Sequence, residues 1–147
     1  MVKYILLAGI IAGLLDALGA IVTFLIRGGK DPVKIFNFIA SGIFGSKALS
    51  GGTGYAVLGF IFHLSIATIW TTIFFIATPY IKSLTKNWWL SGLGYGVFVW
   101  MGMNLVVVPL SNTPSMPFRL SGMIIGVFVL MICIGLPISY FAYRFNK

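Results

Sequence analysis

The sequence predicts an all-α integral membrane protein, a bundle of four transmembrane helices with one short amphipathic helix. Hydrophobic residues make up 59% of the 147 residues and charged residues only 8%, whereas a soluble domain has about 25% charged residues. Four apolar runs are long enough to cross a bilayer core of about 30 Å. Lys, Arg, Trp and Tyr residues flank these runs, as is typical of membrane-helix ends. The predicted spans, which form a single domain, are residues 4–26, 53–78, 88–110 and 121–143.

The first span contains Asp16, one of only two acidic residues in the chain. A carboxylate at this depth is costly unless it is protonated, partnered or hydrated. Gly9, Gly13 and Asp16 lie on one face of the helix at 100° per residue. Because two glycines four residues apart allow another backbone to approach closely, this face is predicted to be a helix contact.

The short helix is predicted over residues 33–45, after a helix start at Asp31 and Pro32. Thirteen residues cover about 20 Å, too little to cross the bilayer. Lys34, Asn37, Ser41 and Gly45 share a face opposite the apolar residues. The helix therefore either lies in the interface, which we favour, or dips inward as a re-entrant segment.

The second span contains His63, the only histidine. Asp16 lies ten residues before the end of its span and His63 ten residues after the start of the next, so both lie about 15 Å from the same surface. We expect the two side chains to come within hydrogen-bonding or one-water distance. The pair would be a proton-responsive or cation-binding site, or a hydrogen-bonded contact that only pins the helices.

The third and fourth spans carry further packing signals. Asn104 is a candidate for an interhelical hydrogen bond or for the polar site. Pro137 removes a backbone hydrogen bond and is expected to kink the fourth span. Residues 111–113 form either a turn or the lining of a vestibule. The predicted close-packing glycines of the whole chain are Gly9, Gly13, Gly92, Gly96, Gly122 and Gly126. We expect them to pack helices together, both in the bundle and between the subunits of a homo-oligomer.

Several classes of function are not supported by the sequence. The net charge of +8 comes from residues that flank the spans, which favours contact with membrane lipids over binding to nucleic acid. No cluster of Cys, His and carboxylate residues has metal-ligand spacing, and no phosphate-binding loop occurs. We therefore expect no metal, no cofactor and no enzyme activity. Basic residues divide five to five between the two sides; we favour cytoplasmic termini because the charges there lie in shorter segments.

Two stretches, ASGIFGSKALSGGTGYAVLGFIFHLSIATIW (40–70) and MGMNLVVVPLSNTPSMPF (101–118), resemble the small four-span YagU-like proteins of bacterial inner membranes. In that family a glycine-rich run precedes a span with a central histidine, and a Pro-Leu-Ser sequence follows the third span. The resemblance covers about a third of the chain, and its motifs are short and rich in glycine. It implies an inner-membrane helical bundle and supplies no activity.

The functional hypothesis from the sequence is an oligomeric channel or small-solute or ion permease that uses Asp16, His63 and Asn104. The alternative is a non-transporting accessory or scaffold protein, in which the buried polar residues only pin helices. A redox subunit that binds haem or quinone is the third hypothesis.

Overall fold

A computed structural model describes residues 1–117 and 119–147, and within them every regular element is helical. Four long apolar helices form an all-α membrane bundle; we call them spans 1 to 4. Their bounds lie within two residues of the predicted ones: Val2–Ile26, Gly52–Ala77, Trp88–Leu110 and Leu120–Phe145. The short helix is Val33–Phe44, and two single-turn helices, Ser46–Ser50 and Ser83–Lys86, precede spans 2 and 3.

Span 1 is the centre of the packing, because it contacts both span 2 and span 4. Span 3 packs closely on span 4 and meets span 2 through large side chains. There the Tyr95 hydroxyl donates a hydrogen bond of 2.6 Å to the Trp70 carbonyl, and the indole N–H of Trp70 lies 3.3 Å from the Met103 sulfur. The spans are thus joined in the order 2, 1, 4, 3, with an aromatic contact between 3 and 2.

The six predicted packing glycines all contact other parts of this chain. A Cβ atom on Gly9 would lie 2.9 Å from the Thr68 Cα, and one on Gly92 would lie 2.9 Å from the Gly135 carbonyl oxygen. Gly13 faces span 2, and Gly96 faces span 4. Gly122 faces the Arg27 guanidinium, and Gly126 faces the Trp100 indole. These glycines therefore serve packing inside the bundle, and they no longer provide a reason to expect contacts between subunits.

Spans 3 and 4 each contain one π turn, Met103–Val107 and Met131–Gly135. Each turn ends two residues before a proline, Pro109 or Pro137. Proline lacks an N–H group, and its ring clashes with the carbonyl four residues earlier. The preceding residue instead bonds five residues back: the N–H of Leu136 donates to the Met131 carbonyl. The π turn widens the helix locally and so accommodates Pro137, which was predicted to kink span 4.

The short helix begins as predicted, with the Val33 N–H donating a hydrogen bond of 3.1 Å to the Asp31 carboxylate. Its twelve residues are too few to cross a bilayer. A helix in the membrane interface is expected to expose its polar face to water. In the short helix, by contrast, the polar residues Asn37 and Ser41 are buried, while Ile43 is 58% exposed. The cause is the contact with span 2, where the Phe36 carbonyl lies so close to Gly59 that no Cβ could be placed there.

The loop after span 3 closes the C-terminal end of the short helix. The Asn112 backbone N–H donates a 2.9 Å hydrogen bond to the Gly42 carbonyl, and its side-chain amide donates one of 3.1 Å to the Ile43 carbonyl. Carbonyls in the last turn of a helix lack partners within it. Residues 111–113 were predicted to form either a turn or the lining of a vestibule, and this contact favours a turn that caps the short helix.

Candidate functional site: the Asp16–His63 pair

The structure brings Asp16 and His63 together, as predicted. The Nε2 atom of His63 lies 3.6 Å from the Oδ2 atom of Asp16. This distance is too long for a hydrogen bond but is within the range of an ion-pair contact. Asp16 lies ten residues before the end of span 1, and His63 lies eleven residues after the start of span 2. Both are therefore about 15 Å from the same end of the bundle, near mid-membrane depth.

Small residues on spans 1 and 2 make the contact possible. The turn of span 1 at Gly13 lies against Leu64 and Ala67 of span 2, and a Cβ on Gly13 would be 3.1 Å from that of Ala67. The close helix contact places His63 beside the span 1 backbone, where its Nε2 lies 2.9 Å from the Gly13 carbonyl oxygen. Asp16, three residues further along, is then within reach of the same ring.

The two contacts of His63 determine what its ring can do. A carbonyl oxygen only accepts hydrogen bonds, so Nε2 must carry the hydrogen in the bond to Gly13. In the neutral ring, Nδ1 is then the acceptor and the position where a further proton would bind. A protonated ring would lie beside the Asp16 carboxylate, and the two charges would reduce each other's cost in the membrane.

Neither side chain is sealed inside the bundle. The exposed fraction is 14% for the His63 side chain and 16% for that of Asp16. The fully buried positions of spans 1 and 2 are instead small or apolar, such as Ala8, Ala12 and Thr71. The pair therefore lies at the edge of the helix contact and is partly exposed on the surface of the bundle.

The third predicted site residue, Asn104, lies elsewhere. It is in the π turn of span 3, with an exposed side chain whose amide donates a 3.0 Å hydrogen bond to the Trp100 carbonyl of its own helix. Among the described residues the side chain makes neither the predicted interhelical bond nor a contact with the pair. An asparagine side chain within a helix can bond a carbonyl of the preceding turn, as the Asn104 amide does here.

Asn37 is the polar residue that the sequence did not single out as a site. It is 4% exposed, and its side-chain oxygen has no hydrogen-bond partner among the residues that the structure describes. Its helix lies on Gly59, one helical turn from His63. The polar stripe of the short helix was the available signal, but such a stripe normally indicates a water-facing surface.

In residues 1–117 and 119–147, no three His, Cys, Asp or Glu side chains come together as metal ligands would. The pair alone offers one imidazole and one carboxylate, which suits proton binding or weak binding of a cation. Comparison of the chain with protein-family models, with curated proteins and with solved structures gives no match.

Proposed function

We propose that this protein is a small channel or permease for an ion or small solute, with Asp16 and His63 as its proton- or cation-binding site. The observation that carries the proposal is the contact of 3.6 Å between the two side chains at mid-membrane depth. Ionisable residues in transmembrane helices are costly, and they commonly mark ion pathways and proton relays. We further propose a bacterial inner membrane as its location, with both termini in the cytoplasm.

The partial exposure of the pair supports access by an ion or a proton. A pair that only joined two helices would be most stable in a dry contact with every hydrogen bond made. Here Nδ1 of His63 has no partner among the described residues, and both side chains reach the bundle edge. Four helices enclose little space of their own, so we propose that a second copy of the chain completes the pathway at this edge.

One observation favours the alternative, a scaffold or accessory protein that transports nothing. The 2.9 Å hydrogen bond from His63 to the Gly13 carbonyl ties span 2 to span 1 without any ligand. Interhelical hydrogen bonds of this kind contribute about 0.6 kcal/mol on average in membrane proteins. A channel or permease predicts flux across the membrane, whereas a scaffold or accessory protein predicts none.

The test is a flux assay with purified protein in liposomes, run over a panel of ions and pH values. We expect flux from the wild type, a large loss of flux in Asp16→Asn, and retained folding in that variant. Asp31→Asn is the matched control, because it makes the same change at the only other acidic residue, at the start of the short helix. Flux that Asp16→Asn leaves unchanged, or a wild type without flux to any probe, would refute the proposal and leave the scaffold function.

A further inference from the structure

A groove lies on the outside of the bundle, away from the Asp16–His63 pair. It has a volume of about 310 Å³ and lies between the short helix, span 2 and the end of span 3. Its walls are almost entirely apolar, with Phe38 and Ile43 on one side and Phe62, Ile66 and Val107 on the others. A volume of about 300 Å³ or more is the size of a site for a small apolar ligand.

The groove runs along the last two turns of span 3. At one end it reaches Ser111 and Thr113, just beyond the last residue of span 3. At the other end it reaches Met103, seven residues before the end of span 3 and thus about 10 Å along that helix. Since half of the hydrocarbon core is about 15 Å thick, the groove can hold part of one lipid chain within a single leaflet.

The two ends of the groove differ in polarity. At the end just beyond span 3 the Ser111 hydroxyl donates a 2.7 Å hydrogen bond to the Val108 carbonyl and lies 2.9 Å from the Thr113 hydroxyl, and both side chains border the groove. The segments at this end of the bundle carry one acidic side chain, Asp31, and five basic ones, Arg27, Lys30, Lys34, Lys47 and Arg119. Such an excess of basic residues attracts anionic lipid headgroups.

We infer that this groove is a binding site for one acyl chain of an anionic phospholipid, whose headgroup lies at the hydroxyls of Ser111 and Thr113. Apolar walls, a polar mouth and the basic segments at the same end of the bundle together match this occupant. A π turn supplies part of the wall through Met103 and Val107, and such turns often occur at functional sites. The inference is independent of the proposed transport function.

The test uses the full chain purified in a mild nonionic detergent and exposed to equal amounts of phosphatidylglycerol and phosphatidylcholine. Native mass spectrometry counts the lipids retained. We expect one retained phosphatidylglycerol per chain in the wild type and its loss in Gly42→Leu. A Cβ on Gly42 would lie 3.6 Å from the Thr113 hydroxyl, so the backbone tolerates a side chain, and leucine would then fill the groove.

Gly94→Leu is the matched control, because no atom of the described residues lies within 4 Å of a Cβ at that position. It should retain the lipid. A second variant keeps the test valid if Gly42→Leu misfolds. Ser65→Phe narrows the groove from the span 2 side and should also lose the lipid. Its control, Val57→Phe, lies on an exposed face of the same helix and should retain the lipid. Lys34→Gln combined with Lys47→Gln should reduce the preference for phosphatidylglycerol.

Three results would overturn the inference. The first is a wild type that retains no lipid, and the second is equal retention by Gly42→Leu and Gly94→Leu. The third is a dimer without lipid that Ser65→Phe converts to a monomer, because the occupant of the groove would then be a second copy of the chain.

Discussion

At the scale of single residues, Asp16 and His63 are coupled through a contact, so their effects on stability should not be additive. Replacing either residue removes the 3.6 Å contact, and replacing the second then has less left to remove. We expect a coupling free energy of about 1 kcal/mol between Asp16→Asn and His63→Gln. Reversible unfolding of the two single variants and the double variant in mixed micelles measures it. Additivity within about 0.3 kcal/mol would show that the pair is not coupled.

Asn37 makes a different prediction, because its buried side-chain oxygen has no partner among the described residues. A buried polar group without a hydrogen bond costs about 1–3 kcal/mol, whereas an apolar side chain of similar size does not. We expect Asn37→Leu to unfold at the same temperature as the wild type or higher. Ser41→Ala is the comparison, since that hydroxyl is bonded to the Phe38 carbonyl. A clear loss of stability in Asn37→Leu would mean that the amide binds a water molecule or a ligand.

At the scale of elements, the contact between the short helix and span 2 depends on Gly59. The Phe36 carbonyl occupies the position that a Cβ would take, so even alanine must push the two helices apart. We expect Gly59→Ala to lower the free energy of unfolding by about 1–3 kcal/mol. Gly94→Ala should have little effect, because the space at that position is open. Thermal unfolding of both variants in the same detergent makes the comparison, and equal stability would contradict the close contact.

The short helix also predicts a topology. Because its twelve residues cannot cross the membrane, the segments before and after it lie on the same side. A cysteine at Lys30 and one at Lys47 should therefore react with a membrane-impermeant thiol reagent from one side, and one at Lys86 from the other. The native Cys133, within span 4, serves as the background control. Reaction of the first two from opposite sides would mean that the segment spans the membrane.

At the scale of the whole molecule, the sequence predicts the spans well and the contacts unevenly. Hydropathy and helix length determine the four spans, and matching depth was enough to pair Asp16 with His63. The burial of Asn37 could not be foreseen, because a stripe of polar residues looks the same whether it faces water or a glycine of another helix. The sequence likewise does not indicate whether the Asn104 amide bonds across helices or to a carbonyl of its own helix.

Small and large side chains are distributed differently between the interior and the surface of the bundle. This distribution bears on how the chain packs in lipid and on whether it forms an oligomer. Small residues such as Ala8, Ala12 and Ala67 fill the interior, while Leu18 and Ile69 are exposed on the outside. In a membrane, close packing joins helices better than apolar bulk does, since lipid is as apolar as leucine. Many large side chains therefore face the lipid, although Phe74, Phe75 and Ile138 are buried, and the close-packing glycines are already used within one chain.

The proposed homo-oligomer must then depend on the exposed edge of the Asp16–His63 pair. A single bundle leaves one side of the pair open, and a second copy would both cover its polar atoms and enclose a path beside them. We expect particles of at least twice the 16.0 kDa chain mass in nanodiscs, determined by mass photometry or native mass spectrometry with the lipid belt subtracted. Leu18→Trp changes an exposed side chain of the same span. As a control for non-specific effects of surface changes, it should leave the particle mass as in the wild type. Single chains in both nanodiscs and mild detergent would remove the shared pathway, and with it the channel form of the proposed function.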